Sequence, residues 1–312
     1  MELQAANNAP NEPRLPPDLE RSVFEAAASS PSGMLNLMLV AWRVKVWIEP
    51  LLYRVIFLST YPSEDHPVLD GLPVFTVDVL RGLIAVRGPA FFQGVVHHLF
   101  LDGASDIPDR DVPTILEACR HVTNLHARFG YGPLPSLDEM PRLQRLAIDT
   151  RPLFGRKAAV DFSRALFRNL THLELLGNTY HESSTLEFHN IPHLTHIAFN
   201  SSVDTGLQNR LRTDTRLLCI VYLASHEGHV NDKWALLDDS RFVRIVQETN
   251  YWLDWVRGAR SGKDYWAAAD EFIAARRAGK IDQPPYLIIV ADFSWRAGRK
   301  CAYQLWEGIF AK

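Results

Sequence analysis

The motif Leu170-Thr171-His172-Leu173 returns twenty-four residues later as Leu194-Thr195-His196-Ile197, and the echo continues in Leu175 and Phe199. A short apolar motif repeated at this interval cannot bury its own edge, so neighbouring copies must stack into one continuous core. Reading outward, units start at Val96, Val122, Leu143, Leu170, Leu194 and Leu217, separated by 26, 21, 27, 24 and 23 residues. Each start is followed by apolar residues three and five positions on, as in Leu99 with Leu101, Leu125 with Ala127, Leu146 with Ile148, and Ile220 with Tyr222. In a chain that is 47% hydrophobic such triplets are common, so the even spacing carries the argument.

The pattern L-x-x-L-x-L at intervals of roughly 20–29 residues is that of a leucine-rich repeat. The expected fold class is therefore α/β, an irregular solenoid of parallel strands and crossover helices. Apolar residues at helical spacing place helices over 111–121, with Ile115, Cys119 and Val122 on one face, and over 159–168, with Val160, Leu166 and Phe167. Pro113 and Pro192 stand at element boundaries, where a missing donor does little harm. The ninth position of the repeat, often Asn, is filled so only by Asn178; Ala104, Gly130, Arg151, Ser202 and Ser225 predict uneven loops. A terminal cap is expected over about 240–312. There a helix runs from an Asp264 N-cap to Gly279, and Trp252, Trp255, Tyr265, Trp266 and Phe272 cover a strand at 284–290.

A formal charge of −3 with 22% charged residues gives no mark of a nucleic-acid-binding protein. Residues 241–312 hold 12 Lys and Arg against 8 Asp and Glu, a local +4 beside −7 for the rest, which reads as a solvated face. Three cysteines far apart, Cys119, Cys219 and Cys301, argue against a disulfide framework. The polar N-terminus lacks a signal-peptide core, and the apolar run at Met34–Trp42 is too short for a membrane span. A cytoplasmic or nuclear protein without membrane contact is the expectation.

Residues 1–14 are rich in Asn and Pro and read as a disordered tail. Order is expected from Leu15-Pro16-Pro17-Asp18, with Pro17 pre-setting a helix and Leu15, Leu19 and Val23 forming one stripe. A turn at 29–33 follows, then a second helix from Met34 to Trp47 closing at Glu49-Pro50. The set Leu15, Pro16, Leu19, Val23, Phe24, Leu37, Val40, Val44 and Trp47 resembles the F-box. The strings LPPDLERSVFE and LMLVAWRVKVWIEPLLYRV are similar to F-box-like proteins of mushroom-forming fungi that carry irregular leucine-rich repeats, as is the stretch from Trp255 to Trp266. The resemblance covers most of residues 15–280. It divides the chain into a tail (1–14), an F-box-like module (15–60) and a repeat domain (61–312). It implies a substrate receptor of an SCF-type ubiquitin ligase, in which those nine residues dock the Skp adaptor and the repeats hold an unidentified target protein. The competing expectation is a repeat scaffold whose N-terminal helices only cap the solenoid.

Candidate chemistry is sparse, and no enzyme, metal or cofactor is expected. His172 and His196 share a repeat position with His98, on the face opposite the leucines. Paired across adjacent strands, His172 and His196 would lie near enough to share Zn²⁺, but no third ligand accompanies them. His98, Phe100, His126, Arg145, His172, Glu174 and His196 are instead the expected target-binding surface. His226-Glu-Gly-His229 lacks the zinc-protease spacing, and Gly258-Ala-Arg-Ser-Gly-Lys-Asp264 fails as a phosphate loop on both its glycine spacing and Asp264. It reads as a turn between helices.

Overall fold

The computed structural model describes residues 15–28, 31–59, 74–102, 107–108, 110–128, 135–149, 161–177, 186–201, 203–224, 235–247, 251–281, 286–289 and 295–298. The expected tail, Asn178 and the His226–His229 motif lie outside them.

Three helices open the chain: α1 (Pro17–Ala27), α2 (Pro31–Leu37) and α3 (Trp42–Leu52). The apolar run expected as one helix from Met34 to Trp47 is two. Residues 38–40 turn, Ala41 is extended (φ −162°), and the helix restarts at Trp42. The break folds Met34 and Leu37 back onto Val44 and Ile48, giving these helices a small core of their own with Ala28, Phe24 and Trp47. α2 begins at Pro31, inside the stretch 29–33 expected as a turn, and α3 continues through Pro50 to Leu52.

The rest is organised by one sheet. Its strands are β1 (Val55–Ser59), β2 (Val74–Phe75), β3 (His98–Asp102), β4 (Asn124–Arg128), β5 (Arg145–Asp149), β6 (His172–Leu176), β7 (His196–Phe199), β8 (Cys219–Ala224), β9 (Phe242–Gln247), β10 (Tyr286–Ile289) and β11 (Trp295–Gly298). The order is β2-β1-β3, then sequentially to β11; every neighbouring pair is parallel except β10–β11. Strands that follow each other in sequence and lie side by side in parallel make a solenoid-like α/β arrangement.

The repeat spacing is the observed register. Leu99, Leu125, Leu146, Leu173, Ile197 and Ile220 face one another across β3 to β8, and Leu101, Ala127, Ile148, Leu175, Phe199 and Tyr222 form the next row. The unit starts Val96, Val122, Leu143, Leu170, Leu194 and Leu217 are each at most 1% exposed and belong to the main core. At the N-terminal rim the backbone repeats as well. Each of the carbonyls of His97, Thr123, Gln144, Thr171 and Thr195 accepts two successive N–H groups from the next unit.

Behind the sheet, α4 (Val77–Arg87), α5 (Pro89–Val95), α6 (Asp111–Ala118) and α7 (Thr205–Thr213) alternate with short 3₁₀ turns. The helix expected over 111–121 is α6. The one expected over 159–168 is a 3₁₀ turn at Ala165–Phe167, with Phe162, Leu166 and Phe167 buried. A 3₁₀ turn rises about 2.0 Å per residue against about 1.5 Å in an α-helix, so it crosses the back of a unit in fewer residues. Arginines pin adjacent units together. Arg164 pairs with Asp138 at 2.8 Å, Arg216 donates to the carbonyls of Ile191 and Phe188, and Arg241 donates to those of Leu211, Arg212 and Leu217. On the other face lie α8 (Tyr251–Ser261) and α9 (Tyr265–Arg277). No described helix is long and apolar enough to cross a membrane.

Leu173→Ala should cost about 2–5 kcal/mol by opening a cavity in the ladder, whereas Val23→Ala on the helical unit should stay within about 0.5 kcal/mol. Urea denaturation with a common m-value checks this; equal losses would contradict the separation of core ladder from exposed helix face.

Candidate functional site

Two surfaces concern function: the sheet face opposite the leucine ladder and the outside of α1–α3. Strand alternation sends residues 98, 100, 126, 145, 172, 174 and 196 to the first. Two rows result, Phe57-Phe100-His126-Ala147-Glu174-Ala198 and Val55-His98-Asn124-Arg145-His172-His196-Cys219. Rings stack along both: Phe57 on Phe100 at 4.5 Å, Phe100 on His126 at 4.3 Å, and His172 on His196 at 4.1 Å.

This face is not open. Trp252 of α8 packs on Phe57 at 5.8 Å, and Trp255 packs on Phe100 at 5.1 Å. On α9, Trp266 stands edge-on to His172 (5.2 Å) and His196 (5.8 Å). Polar contacts reinforce the seam: Arg145 Nη1 donates to Asp264 at 2.7 Å, Tyr265 Oη donates to Glu174 at 2.8 Å, and His196 Nε2 meets Asp270 at 3.1 Å. Phe100 and His126 are at most 2% exposed and His196 is buried. The expectation that His98, Phe100, His126, Arg145, His172, Glu174 and His196 present a target-binding surface is therefore corrected: the chain's own C-terminal helices occupy it.

Sequence read locally explains how those helices are held. Asp264 caps α9 by accepting from Ala267 N, Gly262 (φ +72°) makes the reversal, and Gly279 (φ +67°) follows the helix end. The expected turn and cap helix are thus present, and Tyr265, Trp266 and Phe272 are core. At Gly258 a Cβ would lie 2.5 Å from Asp264 Cβ, so only glycine lets α8 approach the cap of α9 this closely. Asp254, Asp270 and Gly258 are the contacts that sequence reasoning missed, because their partners lie in other elements.

Three carboxyls meet in this seam. Burial, with Asp264 and Glu174 adding repulsion, pushes Asp254 up to about 8, although Tyr265 N donates to its Oδ2 at 3.0 Å. Burial also raises Glu174 to about 7 and Asp264 above its ordinary value, against the pull of Arg145 on the latter. The imidazoles move the other way. Burial holds His98 at about 4 and His126 at about 3, while burial with His196 and Arg145 nearby brings His172 to about 2. Asp254 Oδ1, Trp255 Nε1 and His98 Nδ1 are buried without hydrogen-bond partners among the described residues, so aromatic packing rather than polar saturation closes this end. In the parallel stack of His172 and His196 each Nδ1 meets the hydroxyl of the preceding threonine, Thr171 at 2.8 Å and Thr195 at 2.7 Å, and His196 Nε2 meets Asp270. Among the described residues no cluster of His, Cys, Asp or Glu could hold a metal.

The outside of α1–α3 is the reverse case. Among the described residues eleven large apolar side chains are exposed. Eight of them (Leu15, Leu19, Val23, Leu35, Leu39, Val40, Trp42 and Val46) fall in residues 15–46. No protein-family model matches the chain, and no curated protein matches it in sequence. Of the nine residues expected to dock an adaptor, Leu15, Pro16, Leu19, Val23 and Val40 are exposed. Val44 is fully buried, and Phe24, Leu37 and Trp47 pack against it in the helical core, so these four shape the unit rather than face outward. Leu35 on α2 was missed as well, and Leu39, Trp42 and Val46 were missed because the break at 38–41 resets the helical phase.

The carboxyl seam has a pH signature. Asp254 and Glu174 titrate higher folded than unfolded, so the stability they allow is full below about pH 4 and falls as pH rises through 7 to 8. The histidines titrate lower folded than unfolded, so their contribution is full above about pH 6.5 and is lost as pH falls. Asp254→Asn should therefore raise the melting temperature relative to wild type at pH 9 by several degrees more than at pH 4.5. A difference independent of pH, followed by circular dichroism, would contradict a buried Asp254 carboxylate.

Proposed function

We propose that this chain is a non-enzymatic interaction adaptor of the F-box kind. Its N-terminal helices dock the Skp adaptor of an SCF-type ubiquitin ligase, and its leucine-rich-repeat-like solenoid carries a target protein. The observation that supports this most is the concentration of exposed apolar side chains on α1–α3. Leu19 and Val23 are 55% and 58% exposed at a four-residue step, which keeps them on one face of α1, and Leu15, 45% exposed, stands just ahead of that helix. Burial of one such side chain against a partner contributes about 1.5–3 kcal/mol, so a stripe of them favours a protein contact over water.

A second feature supports docking over capping. A cap would extend the solenoid core, yet the buried residues of α1–α3 form a core distinct from the main one. The main core is continued at this end by Leu80 and Ile84 of α4 and Phe92 of α5. The helical unit is held instead by surface links, including the ion pair of Arg87 with Glu49.

Purified protein is expected to bind the Skp adaptor with a Kd of about 1 μM or tighter. The double variant Leu19→Glu, Val23→Glu should weaken this at least tenfold with its melting temperature unchanged, because both residues are exposed. Lack of binding by wild type at tens of micromolar would overturn the proposal. A large loss of stability in the variant without loss of binding would favour the plain repeat scaffold.

A further inference from the structure

The two helices that close the sheet face are held to it in different ways. On α9, Tyr265, Trp266, Ala269, Phe272 and Ile273 are buried in one apolar core with side chains of β7 to β9. Tyr265 also donates to Glu174, and Asp270 meets His196. The hold of α8 is smaller. Val256 is buried with Phe57 and Phe100 of β1 and β3, while Trp252 and Trp255 are only partly buried there.

Polar groups weaken that hold further. Asp254 Oδ1, Trp255 Nε1 and His98 Nδ1, all on or beneath α8, are buried without hydrogen-bond partners among the described residues, and each such group costs the closed state its lost hydration. Asp254 Oδ2 accepts from Tyr265 N of α9, so this carboxyl ties α8 to its neighbouring helix and not to the sheet. The charges around it are unfavourable. Asp264 of α9 and Glu174 of β6 repel it, Arg257 of α8 attracts it, and Arg145 of β5 is already paired with Asp264. Burial keeps His98 of β3 neutral above about pH 4, so it supplies no compensating charge.

Between the helices stands a hinge. Ser261, Gly262 and Lys263 are exposed, and Gly262 has a left-handed φ of +72° with open space around it. We infer that α8 is a flap that lifts from β1 and β3 about Gly262 while α9 stays seated, and that ionisation of Asp254 opens it. Closed, the flap hides the Phe57–Phe100 end of the ring stack; open, it exposes that end and gives the carboxylate water. Local opening of this kind falls to the element with the least buried apolar surface, which here is α8. Asp254 titrates higher in the closed seam, at about 8, than in water, so closure is full below about pH 4, weakens as pH rises and levels above about 8. This device is independent of whether α1–α3 dock an adaptor.

Hydrogen exchange of the full chain, read by mass spectrometry and corrected for the intrinsic rate at each pH, tests this. A helix of 11 residues freed from its neighbours is marginal in water, so lifting registers as lost protection. Protection of residues 251–261 should fall at least tenfold from pH 5 to pH 8 and level off above, while that of 265–277 changes less than twofold. Asp254→Asn should hold the change across α8 below twofold. Trp255→Ala keeps the carboxyl but removes the contact with Phe100, and should lower protection of α8 at least tenfold already at pH 5, with α9 as in wild type. Joint loss of protection in α8 and α9, a wild-type profile flat with pH, the same profile in Asp254→Asn, or unchanged protection in Trp255→Ala would overturn the proposal.

Discussion

Everything in this molecule depends on the apolar residue at the head of each repeat unit and the shared carbonyl beside it. Val96, Val122, Leu143, Leu170, Leu194 and Leu217 are buried together. One position on, in the units that begin at Val96, Val122, Leu143, Leu170 and Leu194, a carbonyl accepts two N–H groups from the unit that follows. The first interaction sets depth and the second sets register. A slip of one residue would turn every leucine to the opposite face. With the register fixed, the side chains at the second and fourth positions after each head must line up on the other face, whatever their chemistry.

That second face is polar and aromatic, and its occupant is the chain itself. Stacked rings along β1, β3 and β4 meet the tryptophans of α8, and the charged middle of the sheet meets the cap of α9. Neutralisation suits both sides of this seam: the carboxyls titrate high and the imidazoles low, so neither carries a full complement of charge near neutrality. Among the described residues the apolar outside of α1–α3 stays exposed while this face is closed.

The ladder was legible because a period of about 24 residues survives in sequence even where its loops vary. The paired rows found across β3 to β8 are the ones counted from Leu170 and Leu194. The cap was legible in part, since Asp264, Gly262 and Gly279 act on their immediate neighbours. Its position was not. Arg145 and Asp264 are 119 residues apart and Glu174 and Tyr265 are 91 apart, and contacts at such separation leave no periodic trace. The exposed set on α1–α3 was half visible. The stripe on α1 follows from its four-residue step, whereas Trp42 and Val46 became outward-facing only through the extended Ala41.

Closure of the sheet face by α8 and α9 is the claim on which this assignment of surfaces turns. Diethylpyrocarbonate footprinting read by mass spectrometry tests it directly on the folded protein. His189 and His193 are exposed and should modify rapidly, while His126, His172 and His196 should be protected at least tenfold until the protein is unfolded. Modification of all five at one rate would show that the face is open, and the partner surfaces would have to be assigned again.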